Sequence, residues 1–139
     1  MRATFLVLAA LLAATPVVAE TGHGEAPAPP VQGVSVDMPV LIAPMTVQGR
    51  LEGYAYLTVS LVMPSAGTIF EVRSKVPFLQ DAFLRDVHKS SIVKAENPAE
   101  VDVEALRDRF IAHVNKIAVP GTVSDVVFQR TVVIPLKPE

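Results

Sequence analysis

The chain contains no cysteine, and this single absence excludes disulfides, thiolate metal sites and cysteine nucleophiles. It leaves the compartment open, because disulfide-free folds occur on both sides of a membrane. An excess of either charge is missing as well: the formal net charge is −2, and the Lys and Arg residues form no cluster. A nucleic-acid binder would carry a basic footprint, so no nucleic-acid partner is expected. No HExxH, GxSxG elbow, Walker glycine loop or GxGxxG occurs, and an enzyme would have to assemble its site from isolated residues. Long low-complexity tracts are lacking too, so 139 residues predict one domain with one core.

What is present begins with an export pattern. Arg2, the apolar run from Phe5, the helix breaker Pro16 and the small residues before Glu20 read as a signal peptide over 1–19. A spanning helix would want about 20 apolar residues and a longer positive flank. The reading places the mature protein in the periplasm, with inner-membrane anchorage as the alternative if the segment is uncleaved. Residues 20–33 form a Pro/Ala-rich linker that can bury almost nothing, and 34–139 form the single α+β domain.

Within that domain Val34 to Thr46 predicts one edge strand, since Pro39 and Pro44 deny it two backbone donors. Gln48-Gly49-Arg50 supplies a turn. From Leu51 to Met63 the positions Ala55, Leu57, Val59, Leu61 and Met63 alternate with Tyr56, Thr58, Ser60 and Val62, as in a sheet with one buried face. Ser65 to Lys75 is read as a short helical segment, and Pro77 as the first turn of a separate helix whose stripe is Val76, Leu79, Phe83 and Val87. Ser91 to Glu100 is the connecting loop. The clearest unit runs from Val101 to Leu136. Asp102 caps a helix with Val103, Leu106, Phe110, Val114 and Ile117 on one face; Pro120-Gly121 stops it; a strand from Thr122 to Ile134 turns Val126, Phe128, Val132 and Ile134 one way. Arg130 interrupts that face, which places it near an edge. Phe83 and Phe110, central in their stripes, are expected to meet in the core.

Chemistry-bearing residues are scattered. His23 beside Glu25 has no converging third or fourth ligand, and neither His88 nor His113 has a ligand at i+4. Ser90 and Ser91 beside His88 are explained by a polar helix end as readily as by a nucleophile. Asp81, Asp86, Glu104 and Asp108 read as solvated carboxylates on polar helix faces, with Asp81 and Arg85 paired at i,i+4. Tyr54 and Tyr56 read as sheet-surface packing. No catalytic, cofactor-binding or metal residue is assigned, and no cofactor is expected.

Strand Leu51–Met63, the proline-started helix PFLQDAFLRDVHKSS, the helix VEALRDRFIAHVNKIA and the strand VSDVVFQRTVVI, taken in order, resemble the periplasmic domain of the FliL family of flagellar basal-body-associated proteins. The resemblance covers the chain from about Val36 onward. It rests on Pro77, Asp81 and Ala82 with the following apolar run, on Leu106 and Val114-Asn115-Lys116, and on Val123, Asp125, Val126 and Phe128. It implies a stomatin/prohibitin-type domain: an antiparallel or mixed curved sheet with two main helices on one side, copies assembling laterally into rings, and support of the motor stator without catalysis. Members usually keep an N-terminal transmembrane helix, whereas Met1 to Ala19 reads as cleavable.

Two functional classes follow. The first is a non-enzymatic periplasmic scaffold that self-associates or meets flagellar motor and stator proteins through strand edges and helix faces. The second is a stand-alone binding module for a small ligand or metal ion, using His23, His88 or His113.

Overall fold

The computed structural model describes residues 33–137. The segment read as a signal peptide, all but the last residue of the segment read as a linker, and His23 lie outside them. The order is β1 (Val34–Asp37), β2 (Leu41–Val47), β3 (Arg50–Met63), α1 (Ile69–Lys89), α2 (Val103–Ile117) and β4 (Asp125–Pro135). The strands form an open, curved antiparallel sheet, and the two helices complete an α+β fold.

β3 is the central strand. Its alternation is the one the sequence predicts: Ala55, Leu57, Val59, Leu61 and Met63 are fully buried against the helices. β2 turns back into β3 through Gln48 and Gly49, both with positive φ (50° and 77°), a two-residue hairpin whose twist matches the strands. β1 pairs with Ser60–Met63 and β2 with Arg50–Leu57, while β4 pairs with Gly53–Val62. A strand has two edges, so β1 and β2 share the edge opposite β4. The single edge strand expected over Val34 to Thr46 is therefore broken into two at Met38-Pro39-Val40, where proline cannot continue the ladder. Its place on the edge stands.

Two further expectations are corrected. α1 does not begin at Pro77 but runs unbroken through it from Ile69, preceded by a 3₁₀ turn at Ala66–Thr68. The reason is burial: Val72 is fully enclosed in line with Leu79, Phe83 and Val87, and that continuous stripe outweighs the one hydrogen bond proline forfeits. In β4 the four apolar residues do not share a face. Thr58 pairs with Arg130 but Val59 with Phe128, so Gln129 is an unpaired bulge residue. Val126 and Phe128 face the core before the bulge, and Thr131 and Val133 lie opposite the buried Leu57 and Ala55 after it. Val132 and Ile134 pair with Tyr56 and Tyr54 on the outer face. Strict alternation would have driven Arg130 into the core; the bulge keeps it exposed.

α2 forms as expected. The Asp102 carboxylate accepts from the Ala105 N–H at 3.1 Å, and Leu106, Phe110 and Val114 are buried. The rings of Phe83 and Phe110 lie parallel with centroids 3.9 Å apart, and Phe128 stacks on Phe110 at 5.6 Å.

Candidate functional site

β4 is the element on which the site argument turns. Among the described residues it pairs with β3 alone. The Leu136 N–H donates to Glu52 O at 2.9 Å, and in an antiparallel ladder every second residue bonds to the partner. Val132 and Ile134 therefore turn their N–H groups toward β3, and Thr131 and Val133 turn theirs outward. On the far side of the bulge the phase is set by Met38, whose N–H donates to Val59 O at 2.9 Å. Val59 thus serves β1, Ser60 serves β4, and its partner Val127 is already engaged. Among the described residues, the outward donors beyond the bulge are Thr131 and Val133.

Among the described residues nothing covers the outer face at the same end of the sheet. Two rungs cross all three rows of strand, Ile42–Tyr56–Val132 and Pro44–Tyr54–Ile134. Ile42, Tyr54, Tyr56 and Ile134 are exposed. Both tyrosines thus lie on the sheet surface, as read from the sequence. Gly53, in β3 beside this patch, permits the close approach of β4, since a side-chain carbon there would lie 2.6 Å from Ile134 O.

The charged residues form a different kind of centre. Asp86 was expected to be solvated; its side chain is only 15% exposed, held between α1 and α2. Arg109 Nε donates to Asp86 Oδ2 at 2.8 Å, and His113 Nε2 donates to Asp86 Oδ1 at 3.1 Å. The Arg109 guanidinium also reaches the carbonyl oxygens of Asp86 and Ser91 at 3.2 and 2.9 Å. These are carbonyls at and just beyond the C-terminal turn of α1, where a cation complements the helix dipole. Arg109 carries no motif. Only its place one residue before Phe110, which packs on Phe83 of α1, could have signalled that it faces the same helix.

Next to this clamp lies a groove of about 630 Å³ lined by Lys75, Phe78, Ala82, Lys89, His113 and Ile117 among others. A second cavity of about 530 Å³ opens at the sheet end between Met45, Val133, Leu136 and Pro98. Neither gathers a nucleophile with a base. His88 donates from Nδ1 to Leu84 O at 2.7 Å, along its own helix and away from the two serines. Ser91 Oγ donates to Thr46 O at 3.4 Å. Asp81 pairs with Arg85 at 3.0 Å as expected, and Glu104 and Asp108 are exposed. Among the described residues no three His, Asp or Glu side chains converge as metal ligands.

Two ion pairs pin the loops. Lys94 Nζ donates to Glu100 Oε2 at 2.7 Å, which holds the Glu100 carboxyl below its ordinary range and the lysine above its own. Arg107 Nε donates to Asp125 Oδ1 at 2.9 Å, and this bond raises the arginine further. It ties α2 to the start of β4. No protein-family model and no curated protein sequence matches the chain. Among the described residues no helix is long and apolar enough to cross a membrane.

Proposed function

We propose that the protein is a non-enzymatic periplasmic scaffold of the kind its resemblance to the FliL family implies, acting through protein–protein contacts along the outer edge of β4. The observation that carries this reading is the pair of outward N–H groups at Thr131 and Val133, on a strand with an open edge. Proteins that do not use such an edge usually blunt it with proline, charge or a covering element. β4 has Arg130, exposed beside the bulge, and Pro135 at its end. The opposite edge has Pro39 at its break and Pro44 inside β2.

The test is sedimentation of the exported protein over a hundredfold concentration range, alone and with periplasmic extract. Larger species are expected, and Thr131→Pro or Val133→Pro should diminish them, because proline removes an outward donor without touching the β3 ladder. Thr131→Pro is the cleaner variant, since Val133 also packs against the core. A strict monomer that captures nothing, or stoichiometric zinc or copper uptake by calorimetry, would sink the reading and favour the binding module. For the flagellar part, a strain lacking the protein should swim poorly; unchanged motility under load would count against it.

A further inference from the structure

Resting on that edge-pairing reading, we infer that the occupant of the β4 edge is a second copy of this chain, joined β4 to β4 across a two-fold axis at Val132. A strand edge is self-complementary when run antiparallel to itself, so one patch serves both partners. The alternative way to use the edge is head to tail, β4 of one copy against β1 and β2 of the next, which would propagate into a ring or filament. Pro39 and Pro44 interrupt that second edge. Head-to-tail strand pairing is disfavoured and closure of this edge as a dimer is left; lateral assembly into rings would use another face.

The register follows from which donors are free. Setting Thr131 opposite Val133 of the other copy uses both outward N–H groups of each chain and exchanges about four backbone hydrogen bonds. Moving the axis to Val133 sets Thr131 opposite Pro135, and although as many bonds can be counted, the proline ring is then pressed against the Thr131 carbonyl of the other copy, where an N–H belongs. Moving it to Thr131 sets Val133 opposite Gln129, the unpaired bulge residue. In the Val132-centred register Pro135 and Gln129 fall opposite one another, beyond the four bonds.

That register also suits the side chains. Val132 meets its own counterpart on the outer face, beside Tyr56, so the exposed apolar rung Ile42–Tyr56–Val132 continues across the axis into its copy. Arg130 falls opposite Ile134 and away from Arg130 of the second copy, and no like charges are apposed. Asp125, committed to Arg107, lies outside the paired segment.

The chain has no cysteine, so an introduced thiol is an unambiguous reporter. Val132 would occupy a non-hydrogen-bonded pair with Cα atoms ~4.5 Å apart, within disulfide reach. Full-chain Val132→Cys, exported and mildly oxidised at low micromolar concentration, should run predominantly as a reducible covalent dimer, and Arg130→Cys should give at least tenfold less. Both positions are on the outer face, so neither substitution disturbs the core. Cross-linking strongest at Arg130→Cys, or absent at Val132→Cys while wild-type protein still self-associates, would overturn the inferred register. A wild-type protein monomeric alone yet shifted in extract, with the shift lost in Thr131→Pro, would overturn the second copy and keep the edge reading. Loss of both behaviours would fell the edge reading itself.

Discussion

Asp86 is a carboxylate held between two helices, and the guanidinium of Arg109 answers most of its charge. Replacing Arg109 by Met keeps the aliphatic stem and strips the donors, leaving Asp86 with His113 alone. Loss of charged hydrogen bonds of this kind costs about 1.5–3 kcal/mol. Urea unfolding of Arg109→Met should show a loss in that range, and a change below about 0.5 kcal/mol would mean that water serves Asp86 equally well. Phe110, one residue along, answers to different physics. It is fully buried, stacked on Phe83 and touched by Phe128. Phe110→Ala removes a buried ring and leaves a cavity, an expected loss of about 3–5 kcal/mol in the same experiment. The aromatic pair was legible in the sequence because both rings sit mid-stripe in periodic helices. The clamp was not legible, because nothing local marks an aspartate and an arginine 23 positions apart as partners.

Helices and strands were legible where one periodicity ruled and misread where two rules competed. The pattern of β3 and the capped stripe of α2 obey a single rule each, and both fold as read. In α1 the start signal of Pro77 competes with an apolar stripe that extends back to Val72, and tertiary burial wins. This makes a prediction at the scale of the helix. Pro77 forfeits an internal hydrogen bond and crowds the preceding turn, so Pro77→Ala should stabilise the domain by up to ~3 kcal/mol. A thermal melt raised by several degrees is the expected result. A lower melting temperature would show that the local bend imposed by proline is what seats Val72 and Leu79 together. In β4 the competing rules were alternation and the exclusion of a charged side chain from the core. A bulge satisfies both, and sequence alternation alone cannot place one.

The domain formed by residues 33–137 has two layers, with helices on one face of the sheet and, among the described residues, nothing on its partly apolar second face beside an open edge. Its fold class could be read from the order and period of its segments, whereas the proposed partner surface depends on hydrogen-bond phase, which only three-dimensional pairing fixes. Thr131→Pro should therefore alter sedimentation while leaving the melting temperature within a degree or two, since it touches association and spares the core. The unpaired Gln129 also bears on how the chain can change over generations. Loss of that one residue would leave Thr131 and Val133 facing inward and Val132 and Ile134 facing outward, merely straightening the strand. The same one-residue loss at Val132 would turn everything after it over. Insertions and deletions in β4 should therefore survive at Gln129 and be purged beyond it, so that descendants could differ in strand length and still offer one another the same edge.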